Sequence, residues 1–257
     1  MRESKKIVNF IMKTFINKYL SKFGFAIHGV GYIKKLKSSD PKKNEWAIQK
    51  KILNNRANVI FDVGANRGNT SLKYASLFPK AKIHAFEPFP VSCKKFVLNH
   101  KNNMNIKLNH YALSNKVGKA SLNINKSVDT NSFLKSKKIG ANSDKHCVST
   151  GNMMVETNTI DNYCKKNNIK EIDVLKIDVQ GGELKVLEGA IELLKNQKIK
   201  LIYTETYFKQ QYINQPLFHD ISKFLYNYNF NIQDVYDLYF SEENLLWCDS
   251  IFVNSKK

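Results

Sequence analysis

An acid, two glycines and an asparagine surround the end of the first compact apolar run with a spacing that suits ligand binding. The run Val59–Val63 contains Asp62, and Gly64, Asn66 and Gly68 follow before a helical pattern begins. Glycine lets the backbone approach a ligand closely, and the next helix offers free N–H groups. The pattern is not the GxGxxG of dinucleotide sites. A sulfonium nucleoside with an amino-acid tail suits the acid, and a glycine-rich turn without a ligand is the structural alternative.

A second carboxylate, Glu87, ends the next apolar run, 83–86. It lies about twenty residues after the glycine loop, where Rossmann-like sites place an acid that accepts hydrogen bonds from both ribose hydroxyls. The two oxygens of an ionised carboxylate match two neighbouring donors. An exposed turn acid before Pro88 is the structural alternative, but the pairing with the glycine loop favours ribose binding.

Two further carboxylates end apolar runs late in the chain. Asp178 lies in the run 174–179, and Glu205 lies in the run 201–206. Ligands of open α/β sheets bind outside the carboxyl ends of the strands, so both acids are expected near one crevice. A carboxylate there can orient an acceptor hydroxyl and take its proton. Asp178 is therefore the first candidate catalytic residue, Glu205 the second and His146 a third.

The elements that must position these residues alternate between short apolar runs and helical stretches from Asn58 onward. The predicted strands are 59–63, 83–86, 107–113, 120–124, 174–179, 201–206, 232–236 and 250–253. Helical periodicity covers 184–194 and 218–228. This alternation predicts an α/β fold with a mostly parallel sheet and helices on both faces.

The motifs, taken in order, resemble the FkbM family of methyltransferases. The matching segments are FDVGANRG (61–68), FEP (86–88), ALS (112–114), TIDNYC (159–164), LKIDVQGGELKVLEGA (175–190) and CDSIFV (248–253). The resemblance implies a Rossmann-like, seven-stranded sheet of the class I methyltransferase type. It also implies S-adenosylmethionine as cofactor and O-methylation of a sugar or other hydroxyl acceptor. By the same match, Ser114 joins the cofactor-binding residues named above.

The chain departs from the family at two positions. The family usually has an acid where Gln180 stands, and a small side chain such as Ala is commoner than Gly182. If that acid takes part in catalysis, Gln180 changes the mechanism, although its amide can still bind a sugar hydroxyl as donor and acceptor. We predict no metal, because the His and Cys residues show no ligand spacing. A divalent ion held by carboxylates is the alternative.

The first 43 residues form a basic extension, set apart from a Rossmann-like domain predicted over 44–257. They carry eleven Lys or Arg against two acids, Glu3 and Asp40. Apolar residues recur every four positions and predict a basic amphipathic helix; they include Ile7, Ile11, Phe15 and Tyr19. Residues 1–23 can bind a membrane peripherally, or the helix can pack on the domain or on a second subunit.

Within the domain, residues 125–155 interrupt the alternation of strands and helices. They form either a lid over the active site or a surface insertion without a role.

The totals restrict the other functional classes. The net charge of +19 is compatible with a polyanion partner. However, the Lys residues are scattered through the whole chain, which favours a compositional bias of the coding sequence. We therefore expect no nucleic-acid partner. The chain has no CxxC, no apolar run of membrane-spanning length and no signal peptide, which predicts a cytoplasmic protein, peripheral at most on the inner membrane face. A nicotinamide-dependent oxidoreductase would need a phosphate-binding GxGxxG motif, and the glycine loop at 64–68 does not have one. A non-catalytic basic Rossmann-like module for a membrane surface or nucleic acid is the alternative. The acceptor is expected to carry a hydroxyl, as in a glycan or glycolipid precursor.

Overall fold

Residues 44–100, 103–137, 147–241 and 243–255 are described by the computed structural model of the protein. The basic extension, its predicted helix and His146 lie outside these residues. The helices are α1 Glu45–Ile52, α2 Asn69–Leu77, α3 Pro90–His100, α4 Ile160–Lys166, α5 Glu183–Glu188, α6 Ile191–Lys195 and α7 Phe218–Tyr226. The strands are β1 Val59–Val63, β2 Lys82–Phe86, β3 Ile106–Asn109, β4 Ala112–Leu113, β5 Gly118–Asn125, β6 Ser149–Asn158, β7 Ile172–Ile177, β8 Ile199–Tyr207, β9 Phe230–Ser241 and β10 Asn244–Asn254.

Seven of these strands form one sheet in the order β3-β2-β1-β7-β8-β10-β9. The pairs from β3 through β8 are parallel, whereas β10 runs antiparallel to both β8 and β9. One strand therefore opposes the other six. The predicted α/β fold with a seven-stranded, mostly parallel sheet is confirmed.

Apolar side chains cover both faces of this sheet. On one face, Ile60 of β1 and Tyr203 of β8 pack with Tyr74 of α2 and with Trp46 of α1. On the other, Phe61 packs in a cluster to which α4, α5, α6 and α7 contribute. All six residues of β7 are buried, as expected for a central strand covered on both faces. No helix within the described ranges is long and apolar enough to cross a lipid bilayer.

The predicted strand 107–113 is wrong as a single element. Its first part is β3 in the large sheet, and its last part is β4 in a second sheet of order β4-β6-β5. The chain turns between the two, where the N–H of Tyr111 donates to the carbonyl of Asn109 over 3.0 Å. Strand β6 begins inside the expected break 125–155 and ends at Asn158; it was missed because most of its first positions are exposed and show no apolar alternation.

The predicted helix 184–194 is two short helices, α5 and α6, separated at Gly189 and Ala190. A Cβ on Gly189 would lie 2.2 Å from the carbonyl oxygen of Ser114. The chain therefore passes so close to the loop after β4 that only glycine fits. This contact places Ser114 beside the end of α5, close to the carboxyl ends of the strands.

Candidate functional site

A cavity of about 260 Å³ lies at the carboxyl ends of β1, β2 and β7. Five of the predicted site residues line it: Gly64, Asn66, Glu87, Ser114 and Asp178. They come together because neighbouring parallel strands end at one edge of the sheet. The N–H of Gly64 donates to the carbonyl of Phe86 over 3.0 Å, and the N–H of Asp178 donates to the carbonyl of Val63 over 3.0 Å. The predicted crevice is therefore present, and it brings a ribose-binding candidate and a catalytic candidate into one space.

Glu87 is a buried carboxylate whose two oxygens are each held by one backbone group. Its Oε2 accepts from the N–H of Asn66 over 2.9 Å, and its Oε1 accepts from the N–H of Phe89 over 2.8 Å. Burial raises the pKa of Glu87 to about 7, against the lowering effect of these two hydrogen bonds. Each oxygen of a carboxylate can accept more than one hydrogen bond, so two neighbouring hydroxyls of a ligand still find acceptors.

Asp62 does not line the cavity, and its predicted contact with the cofactor stays a prediction. It is 1% exposed, and its Oδ2 accepts from the hydroxyl of Ser71 in α2 over 2.6 Å. Side chains alternate along a strand, so Asp62 shares its face of β1 with Ile60, beneath α2. Burial raises its pKa. Through the hydrogen bond with Ser71, Asp62 connects β1 to α2, the helix that follows the glycine loop.

The two glycines of the loop serve different contacts. Gly64 has φ +80°, and a Cβ there would lie 1.8 Å from the carbonyl oxygen of Asp178. Gly68 has φ +86°, and its Cβ would lie 2.1 Å from the ring of His100 in α3. Gly64 therefore sets the cavity wall, whereas Gly68 does not line the cavity and instead allows α2 to pack beside α3.

Asp178 has a partner on each oxygen. Its Oδ2 is 3.2 Å from the ammonium of Lys176, and its Oδ1 accepts from Nε2 of Gln180 over 3.0 Å. Burial alone would raise the pKa of Asp178, but Lys176 and the hydrogen bond from Gln180 outweigh it and hold the pKa below its usual value. Asp178 is therefore a fixed, ionised carboxylate on the cavity wall.

Glu205 does not line the cavity and lies behind Gln180. Its Oε2 accepts from Nε2 of Gln180 over 3.0 Å and from the hydroxyl of Tyr207. Burial, and then the charge of Asp178, raise the pKa of Glu205 well above its ordinary value. The structure thus connects both predicted catalytic carboxylates, but only Asp178 reaches the space where a ligand can bind.

The sequence of the described domain matches the model of the FkbM methyltransferase domain over residues 62–232. The chain belongs to the FkbM methyltransferase family. This match begins at Asp62 and includes the glycine loop, Glu87, Asp178 and Glu205. It therefore covers the whole of the site described above.

Two curated proteins are similar to this FkbM chain. The 2-O-methyltransferase NoeI of Sinorhizobium fredii is 28% identical over 163 residues, which cover 61% of this chain and 66% of NoeI. The hexuronic acid methyltransferase AglP of Haloferax volcanii is 26% identical over 145 residues, which cover 56% of this chain and 54% of AglP. The aligned part spans less than two thirds of the length of either relative. The crystal structure of an FkbM methyltransferase from Methylobacillus flagellatus is 11% identical, with a TM-score of 0.49, and the match covers 77% of this chain and 44% of that one.

A short segment of the FkbM domain that no sequence motif singled out forms another wall of the cavity. Its lining residues are Val128, Asp129, Asn131 and Phe133. Asp129 accepts from Nδ2 of Asn66 over 2.6 Å and lies 3.5 Å from Arg67, and the hydroxyl of Ser132 donates to the carbonyl of Gln180 over 2.6 Å. These contacts join residues that are far apart in the chain, so the spacing of residues cannot predict them. The one indication in the sequence is the expected break at 125–155, which contains this segment. Lys176 was missed for a similar reason, because it lies inside an apolar strand.

Proposed function

We propose that this protein transfers the methyl group of S-adenosylmethionine to a hydroxyl of a sugar. The observation that carries the proposal is the shared cavity, in which Glu87 at the end of β2 and Asp178 at the end of β7 flank the glycine loop after β1. The sugar class is supported by the two curated relatives, one named as a 2-O-methyltransferase and the other as a hexuronic acid methyltransferase.

The residues of the cavity fit the cofactor in their chemistry. Glu87 keeps acceptor positions for two ribose hydroxyls, while the loop from Gly64 to Asn66 and the hydroxyl of Ser114 line the same space. S-adenosylmethionine, when bound, supplies a methyl group already activated on a sulfonium. The protein has chiefly to hold the reacting groups in line and to keep water out.

Asp178 orients the acceptor hydroxyl and takes its proton. An alcohol oxygen becomes strongly acidic as it gains a methyl group, so even a carboxylate of low pKa is basic enough to receive the proton. The ion pair with Lys176 keeps Asp178 ionised for this purpose. Glu205 stays the second candidate, reaching the cavity only through Gln180.

We further propose that the acceptor is a glycan or a glycolipid precursor, and that the protein works in the cytoplasm, peripherally at the inner face of the membrane. The basis is the charge of the first 43 residues, with eleven Lys or Arg and two acids. Anionic lipids attract such segments, and an apolar helix face adds to the binding.

Calorimetry with S-adenosylmethionine, S-adenosylhomocysteine and NAD tests the cofactor. The first two are expected to bind and NAD is not. Glu87→Ala should weaken binding by on the order of 1.5–3 kcal/mol, because it removes charged acceptors. The control Glu156→Ala, on the exposed side of β6, should bind like the wild type.

The acceptor is tested by mass spectrometry of cell glycans with and without the gene, and by transfer assays with neutral sugars and uronic acids. The expected product is heavier by one methylene group. A wild-type protein that binds neither sulfur nucleoside would overturn the proposal, and binding without transfer to any glycan would overturn the sugar acceptor.

A further inference from the structure

Gln180 connects the two candidate carboxylates of the site through a single nitrogen. Its Nε2 lies 3.0 Å from Oδ1 of Asp178 and 3.0 Å from Oε2 of Glu205. A primary amide carries two N–H donors, so each carboxylate receives one of them. Gln180 also lines the cavity, which puts this bridge beside the space that a ligand would occupy.

The other groups of Gln180 are held as well. Its Oε1 accepts from the hydroxyl of Tyr212 over 2.9 Å, and its carbonyl accepts from the hydroxyl of Ser132 over 2.6 Å. Tyr212 is fully buried. Because the ionised carboxylate of Asp178 only accepts, the amide nitrogen must face Asp178, and the amide oxygen then faces the hydroxyl of Tyr212. The backbone at Gln180 has φ +57°, a conformation uncommon for residues other than glycine.

The charges around Gln180 explain why a neutral donor is needed there. The amide binds Asp178, which follows β7, and Glu205 of β8. Glu183 of α5 adds a third carboxyl group, and burial raises its pKa to about 7. The only cation in contact with Asp178 among the described residues is Lys176, on the opposite oxygen. Without the amide, Oδ1 of Asp178 and Oε2 of Glu205 would face each other with no hydrogen-bond donor between them.

We propose that Gln180 is a positioning residue: its amide, itself oriented by Tyr212, bridges Asp178 and Glu205 and so fixes the carboxylate that orients the acceptor hydroxyl. This inference rests on the proposed function. A carboxylate at position 180 could not make the bridge in its ionised form, because it has no hydrogen to donate.

Gln180→Glu tests the bridge with almost no change of shape. The groups around the new side chain are Lys176 of β7, Asp178 just after it, Glu205 and Tyr207 of β8, Glu183 of α5, and Tyr212. A carboxyl among these anions has a raised pKa and binds its proton more tightly in the folded state than in the unfolded chain. Such a group destabilises the fold as pH rises through the interval between its unfolded and folded pKa values.

The first measurement is therefore urea unfolding. The ratio of the unfolding constants of Gln180→Glu and wild type should increase at least about tenfold from about pH 5 to about pH 8. Glu183 titrates in both proteins, so the ratio removes its contribution. The control Gln233→Glu, on exposed β9, should show a ratio that does not change with pH. A pH-independent ratio for Gln180→Glu would overturn the bridge, whatever the protein methylates.

The second measurement is turnover. In Gln180→Glu, kcat relative to wild type should fall roughly tenfold or more as pH rises through the same interval, with KM for S-adenosylmethionine unchanged. Tyr212→Phe changes no charge and should lower kcat without a new pH dependence. Unchanged kcat in Tyr212→Phe would overturn the role of Tyr212, and an equal loss in Gln180→Glu at both pH values would overturn the positioning role. A wild type that methylates nothing would refute the proposed function, while the unfolding data would still decide the bridge.

Discussion

Lys176 and Asp178 form an ion pair at the end of β7, with 3.2 Å between Nζ and Oδ2. The side chain of Lys176 is only 7% exposed. Burial lowers its pKa, but the charges of Asp178, Asp249, Asp62 and Glu205 raise it further, and the net pKa is raised. One buried ammonium therefore balances several carboxylates beneath the cavity. Its removal leaves the cavity wall with uncompensated charge.

Lys176→Met is expected to lower the free energy of unfolding by about 1–3 kcal/mol near neutral pH, because it leaves the ionised Asp178 without its partner. The loss is smaller than for a fully buried pair, since the Asp178 side chain is 40% exposed. In the wild type the lowered pKa of Asp178 contributes stability above its ordinary pKa of 3.8, and this is lost at lower pH. In the variant the pKa of Asp178 rises, so the loss of stability should shrink as pH falls. Urea unfolding across the acid range measures both effects. Lys195→Met breaks an exposed pair with Glu192 and serves as control, with an expected loss below about 1 kcal/mol.

Glu87 should couple cofactor binding to pH. Its pKa is raised to about 7 in the free protein, and ribose binding requires the ionised form. Affinity for S-adenosylmethionine should therefore rise roughly tenfold from about pH 6 to about pH 8, with release of a proton. Calorimetry in buffers of different ionisation enthalpy measures that proton.

Glu87→Gln provides the matched comparison, since it keeps the shape and cannot ionise. Its cofactor binding should be weak and independent of pH. A raised pKa means that ionised Glu87 destabilises the fold as pH rises from 4.5 to about 7. Relative to the wild type, the variant should consequently gain stability as pH rises through that range. The same pH dependence in both proteins would contradict the role of Glu87.

Asp178→Asn should separate catalysis from binding. The substitution keeps the shape but removes the charge and most of the basicity, so turnover should fall by roughly 10²–10⁴-fold. Affinity for S-adenosylmethionine, measured by calorimetry, should change far less, because Glu87 carries that contact. A folded variant with near-normal turnover would shift the catalytic assignment to Glu205.

Gly64→Ala should destabilise the protein more than a positive φ angle alone explains. The added Cβ would lie 1.8 Å from the carbonyl oxygen of Asp178, so β1 and β7 must separate at the cavity. Gly118→Ala is the matched control, because Gly118 has φ +152° and nothing within 4 Å of its Cβ. The control should show only backbone strain, of order 1–3 kcal/mol, in thermal or urea unfolding. Equal losses in the two variants would mean that the close approach at Gly64 carries no energetic cost.

Removal of residues 1–23 should weaken binding to anionic vesicles. The prediction follows from the Lys-rich, four-residue apolar periodicity of this segment. Binding of the full chain should also weaken with added salt, because ions screen exposed charges. Sedimentation with vesicles of anionic and of neutral lipid measures both effects. If the shortened chain sediments as well as the full one, the segment is not the membrane contact.

The sequence by itself determined the fold class and the edge of the sheet where the site lies. Short apolar runs that alternate with helical periodicity favour a mostly parallel sheet between helices. Because neighbouring parallel strands end on one side, residues that follow such runs must meet there. Gly64, Glu87 and Asp178 could be brought together in this way without knowledge of any contact between them.

Only the tertiary structure decided which side chains face the cavity and which partners they have. Asp62 faces α2 because the side chains of β1 alternate between the two faces of the sheet. Which of the two sets faces α2 depends on how β1 pairs with its neighbouring strands, and spacing along the chain does not reveal it. Gln180 meets Glu205 and Tyr212 across 25 and 32 residues of sequence. The passage of Gly189 against Ser114 likewise divides a helix that its own periodicity predicts as continuous. Such contacts depend on strand register and loop paths, which packing of the whole domain sets, and local patterns of residues cannot encode them.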